Sequence, residues 1–344
     1  MPRLNEGQAH PTAIGQRYRS GITFLQWGPQ AVPPPGESNT ATGGHGTETE
    51  IVKAGIVTVC GKPNAGKSTL LNRVIGQKLS ITSPKPQSTR DRVVGIHTRG
   101  DVQMVIFDTP GLLLPKYALQ RAMRANAIKA IEDADIIVYL VDPNDGSAPS
   151  LEKAADLDRT PRAPVLTVFN KMDLLSDAQR ANLLDDTPDA VFVSARTGDG
   201  VDELFATVAA RLPESPFLYP DDELSTQPVR FFVTELIRET ALEQLSDEVP
   251  YSVACEIEEF RETGTPVYIR AVLFVERESQ KGILIGDRGS RIREIGKASR
   301  VKIEALVEAK VYLDLHVKVL PNWRKNVHAL QRFGFRNPDG DGKR

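Results

Sequence analysis

Residues 61 to 68 read Gly-Lys-Pro-Asn-Ala-Gly-Lys-Ser, directly after the apolar run Gly55-Ile-Val-Thr-Val-Cys60 and directly before Thr69-Leu-Leu-Asn. No other feature constrains the chain so strongly. A G-x-x-x-x-G-K-S spacing between a strand and a helix predicts a phosphate-binding loop, and with it a parallel α/β sheet. Gly61 and Gly66 let the backbone from Lys62 through Pro63, Asn64 and Ala65 to Thr69 wrap a phosphate chain without a Cβ in the way. Lys67 has the length to reach the β- and γ-phosphates, and the Ser68 hydroxyl suits Mg²⁺. The helix that follows adds the positive end of its dipole.

The chain has 344 residues, enough for two domains with separate cores. A net charge of -2 excludes nucleic-acid binding by bulk charge and leaves only a local basic patch. Cys60 and Cys255 both lie in strand-like runs and are expected to be buried free thiols, which fits a reducing compartment. The five histidines show no zinc-type spacing. No apolar stretch approaches the ~20 residues of a membrane span, and no secretory leader is evident, so the expected location is the cytoplasm.

Residues 1 to 50 are rich in Pro, Gly and Thr and offer little to pack, which predicts a disordered extension. A functional arm and an upstream start codon chosen in error remain alternatives. From 51 to 218, apolar runs at 56–60, 102–107, 136–141, 165–169 and 191–193 alternate with helical patterns. This predicts a doubly wound sheet with its ligand at the carboxyl ends of the strands. Residues 219 to 228 are polar and bounded by prolines, and are expected to be a linker. From 229 to 325 the periodicity changes to strict alternation along strands starting near Tyr251, Val267 and Val311. The expected order there is helix, strand, strand, helix, helix, strand. Residues 326 to 344 are predicted to be a polar tail.

Asp108-Thr109-Pro110-Gly111 ends the second apolar run. There Asp108 can hold Mg²⁺ through its water shell and Gly111 can offer an N–H to a γ-phosphate. Asn170-Lys171-Met172-Asp173 ends the run 165–169. Guanine presents two adjacent donors that one carboxylate, Asp173, accepts together, whereas adenine would set an acceptor against it. Ser194-Ala195-Arg196 follows the last strand and completes the base site. With Pro86-Gln-Ser-Thr-Arg90, these five motifs resemble those of the Era family of GTPases, over roughly residues 52 to 325. The resemblance implies GTP and GDP as ligands, Mg²⁺ held by Ser68, Asp108 and Thr89, and a catalytic set of Lys67, Asn64, Thr89 and Gly111. Ser88 is the alternative to Thr89 as the switch hydroxyl. Leu112 stands where Ras-like enzymes orient water with glutamine, so intrinsic hydrolysis is expected to be slow. The Pro63-Asn64 pair suggests K⁺ beside the phosphates, coordinated in part by Asn64; the alternative is that Asn64 only shapes the loop.

In the second half, Gly286-Asp287-Arg288-Gly289 falls between two predicted helices. With 26 glycines, about two such pairs arise by chance, so position is what matters. The element order resembles a type II KH domain, in which this loop clamps a nucleic-acid backbone. Lys281, Arg288, Arg291, Arg293, Lys297, Arg300 and Lys302 are opposed only by Asp287 and Glu294. Asp287 departs from the basic residue common in the family and should weaken phosphate binding. Trp323 is left open between stacking on a base and packing in the core.

The family resemblance further implies binding to the 3′ end of 16S ribosomal RNA and to the 30S precursor, peripheral contact with the inner membrane, and a monomer. Two rivals belong to other classes. A passive RNA-binding module with a vestigial nucleotide site would show no nucleotide effect in wild type or Lys67→Ala. A transport GTPase would need membrane spans.

Overall fold

The apolar runs of the first half form the strands of one sheet, because side chains on both of their faces must be covered. The computed structural model describes residues 52–145 and 149–335. The expected disordered extension lies outside them, as does the end of the predicted tail.

Strands β1 (Lys53–Gly61), β2 (Val93–Arg99), β3 (Val102–Asp108), β4 (Ile136–Val141), β5 (Val165–Phe169) and β6 (Val191–Phe192) lie in the order β2-β3-β1-β4-β5-β6. All pairs are parallel except β2 with β3. Helices α1 (Lys67–Ile75), α2 (Ala118–Glu132), α3 (Leu151–Ala155), α4 (Asp177–Asp186) and α5 (Val201–Arg211) connect them. Leu70, Leu71, Val138, Val168 and Leu204 fill one face, and Ala127, Ile137, Tyr139 and Phe169 fill the other. The phosphate loop, Asp108 and Asn170 accordingly emerge together at the carboxyl edge.

The second half follows the predicted order. Helix α6 (Val229–Gln244) and a short α7 (Val249–Ser252) precede β7 (Ala254–Arg261), β8 (Val267–Val275), α8 (Glu278–Ile285), α9 (Ser290–Val307) and β9 (Val311–Val319). The sheet order is β7-β8-β9, antiparallel then parallel. Ile237, Ala241, Ile269, Leu273, Ile295 and Ile303 form its core. Cys60 and Cys255 are buried free thiols, and burial pushes Cys60 up to about 12.

Four expectations are corrected. Strand β2 escapes the sequence pattern because its second half, His97-Thr98-Arg99, is not buried. The strand expected from Tyr251 begins at Ala254, since Pro250 sits in the first turn of α7. The linker 219–228 is not a free connection: Leu224 O accepts from Ile96 N, and the Ser225 hydroxyl donates to Val94 O. The tail is not polar throughout, because helix α10 (Val327–Arg332) buries Leu330, and Phe335 joins it against Trp323.

Trp323 itself is fully buried and its Nε1 donates to Ser252 O at 2.7 Å, so it belongs to the core. Trp323→Ala is expected to cost about 3–5 kcal/mol, and Trp323→Phe about 1–3 through the orphaned carbonyl. Denaturant unfolding of both variants checks the order.

Candidate functional site

The turn from β1 into α1 brings the phosphate loop around a cavity of about 300 Å³, lined among others by Asn64, Gly66, Lys67, Ser68, Thr89, Gly111 and Lys171. The Lys67 ammonium is buried and donates to Lys62 O at 2.8 Å and Gly61 O at 3.2 Å, which holds it inside the loop. Burial lowers its pKa, while the Asp108 carboxylate pulls the other way. Asp108, at the end of β3, is raised by burial and held down by Lys67.

Three oxygens meet at this point. Ser68 Oγ donates to Asp108 Oδ2 at 2.7 Å and lies 2.9 Å from Thr89 Oγ1, which is 3.5 Å from the same carboxylate oxygen. Asp108 Oδ1 is buried without a hydrogen-bond partner among the described residues. Two hydroxyls around a carboxylate whose other oxygen is orphaned are a donor set for a hard cation. Thr89 is thus the hydroxyl that meets Ser68 and Asp108, whereas Ser88 gives its carbonyl to Arg238.

Gly111 closes the far wall. A Cβ there would meet the backbone nitrogen of Pro63 at 2.7 Å, so the loop after β3 can approach the phosphate loop only as glycine. Thr109 and Leu112, on either side of Pro110-Gly111, are both buried. Thr109 Oγ1 is fully buried and donates to Val59 O at 2.9 Å. Leu112 packs with Ala127 and Ile131 instead of facing the cavity. Asn64 Nδ2 donates to Pro84 O at 2.9 Å, tying the loop to the segment that carries Thr89.

The residues expected to read the base converge at the ends of β5 and β6. Asn170 ties two motifs together, its Nδ2 donating to Ala65 O at 2.8 Å and its Oδ1 accepting from Ala195 N at 2.9 Å. Asp173 accepts from Ser194 Oγ at 2.6 Å and from Arg196 Nε at 2.9 Å. The Ser194 hydrogen bond foremost, opposed by partial burial and helped by Arg196, holds this carboxyl below its usual range. Met172 is buried in the core, and Lys171, in the left-handed region, pairs with Asp142 at 2.6 Å. Asp142 carries no motif signal of its own; only the αL geometry of Lys171 aims that lysine at it.

In the second half, Gly286 ends α8 with φ of +71°, and an added Cβ would meet Arg291 N at 2.9 Å, so the turn into Asp287–Gly289 requires glycine. Arg288, Arg293, Lys297 and Arg300 are exposed and make no ion pair among the described residues, whereas Lys281 lies 4.0 Å from Glu278. The basic face is narrower than the sequence suggests. Arg291 is half-buried and donates to Gln244 O at 2.8 Å, and Lys302 bonds Glu239 and Glu243. A charge run does not disclose which members are already paired.

Residues 56–171 match the 50S ribosome-binding GTPase family, and residues 248–324 match the KH domain family. The chain is similar to GTPase Era of Geobacter metallireducens, 42% identical over 291 residues that span 82% of this chain and 98% of that protein. It is also similar to GTPase Era of Azotobacter vinelandii, 41% identical over 301 residues, 85% of this chain and 99% of that one. A crystal structure of Era in complex with MgGDPNP and nucleotides 1506–1542 of 16S ribosomal RNA has a TM-score of 0.77, 36% identity, and coverage of 83% of this chain and 99% of that one. The chain belongs to the Era family of GTPases.

Proposed function

We propose that this GTPase binds the 3′ end of 16S ribosomal RNA through its KH domain, assists maturation of the 30S subunit, and changes its RNA affinity with nucleotide state. The observation that carries this is the convergence of Ser68, Thr89 and Asp108 beside a buried Lys67, in a chain whose other half presents Gly286–Gly289 and a free basic face. Thr89 lies on a segment that can respond to the γ-phosphate, and hydrolysis removes that anchor.

Ser68, Thr89 and Asp108 suit Mg²⁺, and no cluster of three or more His, Cys, Asp or Glu exists among the described residues to hold a metal otherwise. Bound there, the ion neutralises charge on the β- and γ-phosphates. Around it the protein supplies positioning. The loop 61–69 cradles the phosphates, Lys67 carries charge toward the γ-phosphate, and Gly111 offers its N–H. Asp173, Ser194 and Ala195 recognise guanine. No side chain of Leu112 type accepts a proton from water, so unassisted turnover is slow.

Asn64 is assigned to a K⁺ site beside the phosphates, with its Oδ1 as the donor while Nδ2 holds Pro84. Turnover should be about tenfold or more faster in K⁺ than in Na⁺, and Asn64→Ala should erase the difference. Equal rates in the two salts sink the assignment. Peripheral contact with the inner membrane, a cytoplasmic pool and a monomeric state complete the proposal. No helix among the described residues is long and apolar enough to cross a membrane.

Crosslinking in cells followed by RNA sequencing tests the partner. Reads concentrated at the 3′ end of the small-subunit RNA are expected; an absence of ribosomal RNA overturns the assembly role. Domain limits of 51–218 and 229–325 are tested by limited proteolysis.

A further inference from the structure

Thr89 sits between two residues that the KH domain holds. Arg90 is 6% exposed, and its Nη1 and Nη2 donate to Val253 O at 2.6 Å and Tyr251 O at 2.9 Å. Its guanidinium lies 5.6 Å from the centre of the Trp323 ring. On the other side of Thr89, the carbonyl of Ser88 accepts from Arg238, a residue of α6 that is 3% exposed and also paired with Glu235. The same segment is fastened twice more. Lys85 Nζ donates to Leu242 O and Leu245 O at the end of α6. The fully buried Glu239 accepts from Lys78 at 2.7 Å and from Thr82 N at 3.3 Å.

The second nucleotide-sensing element is seated on the same surface. Helix α2, which follows Asp108–Gly111, packs Leu119 and Met123 with Val272, Phe274 and Trp323 of the KH domain. Arg90 is buried with two carbonyl partners, and a buried guanidinium is costly to strip of them.

Consecutive Cα atoms are ~3.8 Å apart, so Thr89 cannot leave Ser68 and Asp108 without straining the contacts of both neighbours. We infer, on the footing of the function proposed above, that Arg90 and Arg238 are positioning residues for Thr89, and that they join the γ-phosphate and Mg²⁺ site to the pose of the KH domain. Arg90 is the GTPase domain's plug in the KH domain; Arg238 is the KH domain's grip on the switch. Coupling of this kind is reciprocal: what GTP does to RNA affinity, RNA must do to GTP affinity.

The test uses the full chain, Mg²⁺, GDPNP or GDP, and an RNA of nucleotides 1506–1542, the segment bound in the related complex. The wild type should bind this RNA with a Kd ratio between the two nucleotide states of about 5 to 150. In Arg90→Ala and in Arg238→Ala the ratio should fall below about 2, while RNA affinity without nucleotide stays within about twofold of wild type. kcat should fall in both with KM for GTP little changed, because Thr89 is loosened and the base site is not. Arg90→Lys, which keeps the charge but not the two-pronged reach, should restore part of the ratio. Should either alanine variant fail to fold, Arg90→Gln and Arg238→Gln carry the same comparison. A wild-type ratio of one overturns the parent function and the coupling with it. A wild-type ratio above one that both variants retain overturns the coupling alone, as does a uniform loss of RNA affinity in every nucleotide state.

Discussion

Asp173→Asn should lower GTP affinity by about 10²- to 10⁴-fold, since two hydrogen bonds to a charged acceptor are worth about 1.5–3 kcal/mol each. The same variant should prefer xanthosine triphosphate. Xanthine replaces the exocyclic amine with a carbonyl, and an amide offers that carbonyl a donor while keeping an acceptor for the neighbouring ring N–H. The geometry favours a clean exchange, because Asn170 braces Ala65 and Ala195 independently of Asp173. Calorimetry with GTP, ATP and xanthosine triphosphate checks the outcome; unchanged GTP affinity would remove Asp173 as the reader of the base. The sign of the pH effect is also fixed. Asp173 is held below the ordinary value of 3.8, so its ionised form persists above that value and is lost only as pH falls beneath it. Preference for GTP over ATP in the wild type should therefore be flat from about pH 8 to about pH 5.

What the sequence discloses and what it conceals follow one physical line. Gly61 to Ser68, Asp108 to Gly111 and Asn170 to Asp173 are legible because each is a short stretch of backbone whose geometry demands particular residues. The alternation in β8 and β9 is equally local. Strand β2 is not, since its strand character comes from hydrogen bonds to β3 and to residues 224–227. The tail conceals Leu330 and Phe335 among polar neighbours, and only the Trp323 cluster makes them core. The seam between the domains leaves almost no trace in the sequence. Arg90, Lys85 and Arg238 bond to carbonyls some 150 or more residues away, and a carbonyl has no residue type to recognise. Arg90 stands in full view beside Thr89, yet nothing local separates a residue that meets phosphate from one that meets another domain. Arg291 and Lys302 show the converse, basic residues in a nucleic-acid pattern that are already engaged by α6.

Lys67→Ala should cut GTP turnover by at least about 10³-fold, the scale found when a preorganised charge on a transferring phosphoryl group is removed. It should do so without a matching loss of stability. The Lys67 ammonium is buried against carbonyls of its own loop, and burial lowers its pKa below the ordinary 10.5, so the charged form is less favourable in the fold than in the unfolded chain. Holding the ammonium in the fold therefore carries a desolvation cost. Truncation removes that cost together with three hydrogen-bond donors, and it leaves Asp108 without its opposing charge, which should raise that carboxyl further. These effects oppose one another, and the unfolding midpoint should move little while catalysis collapses. A variant that unfolds in step with its activity would mean that Lys67 serves the fold. One that stays folded, loses turnover and loses the nucleotide dependence of RNA binding separates a working switch from a passive RNA-binding module, because a vestigial site has no dependence to lose.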